Sequence, residues 1–277
     1  VFHSAALVTN WAPWSEFLAG TVQGTENLLE VAACAGVKRF IHVSSARVYD
    51  DRYCRKHGVV TEDAPRGSKG FRHFGYYARA KVMAEAAVWR YQARLPVSVI
   101  RPTWIYGPRD QTIIPALIGF LRESSARWPS GNDPCADPIF VTDVADCAIA
   151  AAIHPRAVGQ AYNASPNSVI RVREFLGALC QALGFRAPDR SVPYAMAAFA
   201  ARTSELLFHI ARSDNAPRWS RAGLAILTQD IRHEAAKAHR ELDWRSKVEL
   251  STGVGLTAAW IAERYPELTG PLSRARR

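Results

Sequence analysis

The chain has 277 residues, 48% of them hydrophobic and 22% charged, with a formal net charge of +10. That length fits one large or two small domains, and that balance excludes a disordered chain. The positive charge sits on scattered Arg residues and a terminal run at 273–277, which suits an anionic cofactor or substrate better than nucleic acid.

Residues 1–7 read as a buried strand. Apolar positions Phe17, Leu18, Val22, Leu28, Leu29 and Val31 predict an amphipathic helix over 13–35, stopped by Gly36. A second strand over 39–45 ends in Ser44 and Ser45. Residues 50–72 are polar, with Gly58, Pro65, Gly67 and Gly70, and predict a loop that could cover a substrate. A helix over 74–94 and a strand over 96–102 complete a strand–helix–strand unit. Beyond Pro108, helices are predicted at 112–123, 143–154, 171–183, 194–211 and 251–265. Asp143 is expected to cap its helix. Trp128, Trp219, Trp244 and Trp260 are expected in the core. The most apolar stretch, Val192–Ala211, is broken by Arg202 and Glu205 and is too interrupted to span a membrane. It predicts a buried or half-buried helix. Five scattered cysteines, with no Cys-x-x-Cys or Cys/His cluster, predict reduced thiols and no metal site.

The chemistry concentrates in Ser45, Tyr77 and Lys81. A four-residue offset sets Tyr77 and Lys81 on one helix face, one turn apart. A free Tyr hydroxyl titrates near ~10 and is a poor base at neutral pH. An adjacent ammonium would lower that value, the tuning that general acid–base catalysis uses. Serines at the carboxyl end of a buried strand stand where α/β sheets bind ligands.

Motifs along the whole chain extend this pattern. They are Val1-Phe2-His3-Ser4-Ala5-Ala6, Val22-Gln23-Gly24-Thr25-Glu26-Asn27, Val43-Ser44-Ser45-Ala46-Arg47-Val48-Tyr49, and the Tyr77/Lys81 pair. Arg101-Pro102-Thr103-Trp104-Ile105-Tyr106-Gly107-Pro108, Phe140-Val141-Thr142-Asp143-Val144-Ala145 and Ala161-Tyr162-Asn163-Ala164-Ser165 follow. Lys237-Ala238 and Glu241-Leu242-Asp243-Trp244 close the series. In this order they resemble the extended short-chain dehydrogenases/reductases, of the epimerase/dehydratase and 3β-hydroxysteroid dehydrogenase type.

The resemblance implies an α/β fold: a partial Rossmann-like parallel sheet over 1–108 and a smaller C-terminal α+β substrate lobe over 109–277, with some segments returning to the sheet. It implies Tyr77 as catalytic acid/base, Lys81 as the residue that lowers its pKa and binds the nicotinamide ribose, and Ser45 as the hydroxyl on the substrate oxygen. Ser44 is the alternative to Ser45 and a cofactor contact. Ala5, Ala6, Pro102 and Thr103 match positions that lie against the cofactor, NAD or NADP. His3 reads as a core histidine. Thr21 stands where the family often has Asn, and Asp50 where it often has Gly. The family's Gly-x-x-Gly-x-x-Gly turn does not occur, so the chain is expected to be a truncated fragment lacking about two βα units.

The expected activity is interconversion of a secondary alcohol and a ketone on a hydrophobic, steroid-like substrate. A nucleotide-sugar epimerase and a non-catalytic Rossmann-like binding protein are the alternatives. A 4,6-dehydratase fits less well, because Ala46-Arg47 replace its acidic pair. The expected partners are a small-molecule substrate and a second subunit in a homodimer, without nucleic acid or an integral membrane segment. The expected location is cytoplasmic.

Overall fold

A buried parallel sheet carries the candidate site at its carboxyl edge. The structure, a computed structural model, describes residues 1–9, 11–67, 75–111, 113–123, 126–129, 131, 133–166, 168–211, 217 and 219–271. In chain order, β1 (Phe2–His3) leads to α1 (Trp14–Phe17), a π-helical turn at Leu18–Gln23, and α2 (Gly24–Cys34). Then come β2 (Phe40–Val43), α3 (Asp51–His57), β3 (Val59–Val60), α4 (Gly75–Arg90), β4 (Val97–Pro102) and β5 (Trp104–Tyr106). The remainder is α5 (Ile113–Leu121), β6 (Trp128–Pro129), β7 (Pro138–Phe140), α6 (Val141–Ile153), β8 (Ala161–Ala164), α7 (Val172–Ala182), β9 (Ser191–Val192) and α8 (Tyr194–Ile210). The chain closes with α9 (Arg221–Thr228), β10 (Arg232–His233), α10 (Ala236–Leu242) and α11 (Leu250–Arg264).

The main sheet has the order β1-β2-β4-β8, all parallel. β4 is buried at every position, as its run Val97-Ser98-Val99-Ile100 requires of a strand covered on both faces. Its polar members are satisfied: Ser98 Oγ donates to the Ala157 carbonyl at 2.6 Å, and Arg101 pairs with Glu85. α4 lies on the sheet through Ala87 and Val88, against Phe40, Val97 and Val99, and Ala80 packs on Phe17 and Val22 of the preceding helical segment. β8, well beyond residue 108, is the sheet's fourth strand. A separate core joins Tyr106, Phe140, Phe175, Leu179 and Ile261.

Several expectations are corrected. The first strand is two residues long, and Phe2 is 56% exposed. β1 has β2 on one side only among the described residues, and β2 ends at Val43, opposite Ser4, so residues 5–7 have no strand to pair with. The 13–35 helix is interrupted by the π turn. There Thr25 Oγ1 donates to the Thr21 carbonyl at 2.6 Å, and Thr21 Oγ1 accepts from Leu7 N at 3.0 Å. The Thr25 bond to a helix carbonyl is of the kind that opens the regular ladder. Gly36 ends this helix with φ +63, as expected.

The 50–72 loop holds α3 and β3 instead. Asp50 caps α3 by accepting from Tyr53 N at 2.7 Å, and Arg55, Lys56 and His57 complement its C-terminal dipole. Residues 68–74, with Gly70, lie outside the described residues, as do Asn10, Arg212 and 272–277. Asp143 does not cap α6, which starts at Val141. Its carboxylate accepts from Lys247 N at 3.0 Å and Val248 N at 3.1 Å, tying α6 to the segment before α11.

Trp128 and Trp244 are buried, and Trp219 and Trp260 are half-buried. α8 is not a buried helix. Only Ala197 and Ala201 are buried, while Met196, Phe199, Leu206, Leu207 and Ile210 form an exposed apolar stripe. Among the described residues no helix is long and apolar enough to cross a membrane.

Candidate active site

β2 delivers Ser44 and Ser45 to the carboxyl edge of the sheet, where the strand ends and the chain turns. Ser45 is extended, with φ −161, and caps the 3-10 turn Ala46–Val48. Its Oγ accepts from Arg47 N at 3.2 Å, and its side chain is close enough to act on the Tyr77 phenol. Tyr77 stands near the start of α4. Lys81, one turn on, is 3% exposed and donates from Nζ to the Val43 carbonyl at 2.9 Å. The strand end and one helix face thus bring Ser45, Tyr77 and Lys81 together.

Burial raises the Tyr77 pKa, opposed by the Ser45 hydrogen bond and the Arg47 charge. The expected lowering by Lys81 is not what the structure gives. The Lys81 ammonium is anchored on Val43, and burial lowers its own pKa to about 8, with Glu85 opposing. Tyr77 is therefore a protonated phenol at neutral pH, set to donate, beside a cation near its titration point.

Glu85, a further turn along α4, forms a buried floor that the motifs did not reveal. Its carboxylate accepts from Ser44 Oγ at 2.8 Å, Arg66 at 2.7 Å, Trp89 Nε1 at 3.1 Å and Arg101 at 2.6 Å. Burial would raise its pKa, but Arg101, Arg66 and Ser44 hold it well below the usual carboxylate range. Arg101 also donates to Tyr49 Oη at 2.9 Å, and Tyr49 donates to Asn163 Oδ1. The Ser44 hydroxyl thus serves Glu85, whereas the Ser45 hydroxyl holds the turn at Arg47 N beside Tyr77. A signal was present: Glu85 lies four residues past Lys81 on the same face, and Arg101 sits inside an apolar strand where a charge needs a partner.

Other expected positions divide. Ala5 and Ala6 follow β1 at the carboxyl edge, exposed and half-buried respectively. Pro102 ends β4 there. Thr103 N–H bonds the Ala164 carbonyl at 3.0 Å and its hydroxyl the Asp137 carbonyl at 2.7 Å, so both donors are engaged within the protein. His3 is a core residue, its Nε2 2.8 Å from Thr25 Oγ1. His42 lies near it with the rings tilted and their centroids 5.3 Å apart; burial lowers its pKa to about 3, so it is neutral beside Lys81.

The model of the NAD dependent epimerase/dehydratase family matches residues 1–165. The chain belongs to that family. It is 29% identical over 257 residues to the 4-hydroxy-2-methyl-3-oxo-4-farnesyl-3,4-dihydroquinoline-1-oxide ketoreductase of Stigmatella aurantiaca, covering 92% of this chain and 75% of that one. It is 32% identical over 194 residues to the decarboxylating sterol-4-alpha-carboxylate 3-dehydrogenase of Mus musculus, covering 66% and 52%. In fold it matches the UDP-glucuronic acid 4-epimerase of Bacillus cereus, solved with NAD, at a TM-score of 0.70 and 19% identity over 96% and 73% of the two chains. The Rossmann-like expectation holds. The relatives with stated activities are a ketoreductase and a dehydrogenase, so this chain belongs to a family of enzymes.

The family is NAD-dependent, and the donor set fits the nicotinamide–ribose half of that cofactor. A buried ammonium, a phenol and small residues at the strand ends line one edge. No Gly-x-x-Gly-x-x-Gly turn stands in the sequence, so no residue is assigned to the pyrophosphate.

Proposed function

We propose that this protein is an NAD(P)-dependent oxidoreductase interconverting a secondary alcohol and a ketone on a hydrophobic substrate. The observation that carries this reading is the convergence of Ser45, at the end of β2, with Tyr77 and the buried Lys81 one turn apart on α4. Ser45 orients the substrate oxygen. Tyr77 gives that oxygen a proton in reduction and takes it back in oxidation, and Lys81 supplies the charge that makes the exchange feasible near neutrality. The nicotinamide, when bound, supplies or accepts the hydride. Lys81 and Tyr77 would hold the ribose, with Ala5, Ala6 and Pro102 against the ring end.

Residues 109–277 would supply most of the substrate lobe. Its α8 offers an apolar face, and Trp11, on the loop after β1, stacks on His209 of that helix at 4.6 Å. The names of the bacterial ketoreductase and the sterol 3-dehydrogenase support an apolar substrate over a sugar nucleotide.

The test is an absorbance assay with NADH or NADPH and a panel of hydrophobic ketones. Stoichiometric loss of reduced nicotinamide with alcohol formed is expected. Protein that retains cofactor and interconverts sugar-nucleotide epimers without net redox change would contradict it.

A further inference from the structure

α8 presents its two faces in the reverse of the usual order. A surface helix ordinarily turns its large apolar side chains to the core and its polar ones to water. On α8 the buried positions are Ala197 and Ala201, one turn apart. Met196, Phe199, Leu206, Leu207 and Ile210 share the other face, each with more than half of its surface exposed. At the α-helical repeat these five span an arc of about 100°, the width of a stripe that elsewhere packs on a core. Folding does not account for so much apolar surface in water, and contiguous patches of this kind mark interaction sites.

The charges around the stripe favour one occupant. Glu205 lies on the side of α8 away from the stripe and is ion-paired with Arg221 of α9, Nε to Oε2 at 2.6 Å. Arg202, exposed, lies at the stripe's edge, three residues after Phe199 and four before Leu206. His209 lies along the same edge and is also exposed. The chain as a whole carries +10. A second copy would bring like charge to like, whereas an anionic surface attracts this one. A helix lying in the plane of a bilayer needs only one apolar face, so it does not require the length or the all-round apolarity of a spanning helix.

We propose that α8 is a membrane-docking helix that lies in the interface of a bilayer containing anionic lipid, with its stripe among the acyl chains and Arg202 at the headgroups. The proposal stands apart from the oxidoreductase reading and holds whatever the protein's substrate.

The full protein is sedimented with vesicles of phosphatidylcholine alone and of phosphatidylcholine with one-third phosphatidylglycerol. The variants are the double change Phe199→Ser/Ile210→Ser, Arg202→Gln, and Val31→Ser, which removes an exposed apolar side chain from α2. Wild type is expected to bind the anionic vesicles more tightly than the neutral ones, and less tightly as salt rises. The double variant should lose about 100-fold or more in vesicle affinity, because two large apolar side chains no longer leave water. Arg202→Gln should lose about 5-fold, the share of one basic residue near an anionic surface. Val31→Ser should bind as wild type does. Denaturation midpoints close to wild type in the variants assign these losses to the surface and not to the fold. Absence of binding to anionic vesicles, equal affinity for both vesicle types, or binding that the double variant retains overturns the proposal. A lipid-free dimer that the double variant disperses, with no vesicle binding, gives the stripe to a second copy and overturns it as well.

Discussion

Beneath Tyr77, Glu85 and Arg101 are 1% and 2% exposed, and each charge is matched by several partners. On α8, Phe199 and Ile210 are 72% and 71% exposed and turn apolar surface to solvent. The two regions sit at opposite ends of constraint. Buried charges hold their geometry because every displaced hydrogen bond is paid in full desolvation. An exposed stripe contributes little to folding, so its residues are free to follow what the protein binds.

The largest effect that would break this contrast is Arg101→Met. It leaves the Glu85 carboxylate buried without its main partner, and a loss of about 3–5 kcal/mol is expected. Urea denaturation of the variant reads this directly, and a loss near that of a surface change would mean the floor is not load-carrying. Next comes Gly253→Ala in α11. An added methyl would collide with the Tyr106 hydroxyl and meet Phe140 Cδ2 at 3.0 Å, in the core that joins α11 to β5 and β7. Overpacking of that kind costs about 1–3 kcal/mol, measurable as a lower denaturation midpoint.

The pH profile sharpens the same comparison. Lys81 titrates at about 8 in the folded protein, below its ordinary value, because burial disfavours the ammonium. Ketone reduction should therefore decline as pH rises through about 8, with the cation lost, while the raised Tyr77 pKa keeps the phenol protonated. Above that pH the unfolded chain still binds the proton that folded Lys81 has released. Lys81's contribution to stability consequently rises with pH over the window in which activity falls. Glu85→Gln should move the activity break to lower pH, since Glu85 supports the ammonium. An unchanged break would remove Glu85 from Lys81's environment. The smallest effect is expected on α8, where Phe199→Ser should alter stability by about 0.5 kcal/mol or less. A larger loss would show that the stripe is covered.

The sequence announced the regular parts of the site and hid the compensations. β2, β4 and α4 were legible because apolar runs and a four-residue spacing repeat in period with their structure. α3 was missed because its seven residues are nearly all polar, although Asp50, the basic last turn and Gly58 mark both of its ends. The Glu85–Arg101 pair is not read from the sequence because Arg101's need for a partner does not say which carboxylate meets it. Only the register that sets β4 over α4 brings them together. α8 reads as a buried or half-buried helix because its composition resembles core, and composition does not say which face is covered. At the π turn the Thr25 hydroxyl donates to the Thr21 carbonyl, a side-chain bond that no periodicity encodes.

The central claim is that Tyr77 carries the proton. Tyr77→Phe in the full protein keeps the ring and removes the hydroxyl. Steady-state turnover with saturating NAD(P)H and a competent ketone, alongside cofactor titration, tests it directly. The account predicts a fall of about 100-fold or more in kcat, the scale of a general acid's contribution, with cofactor affinity nearly unchanged. Turnover close to wild type would contradict it.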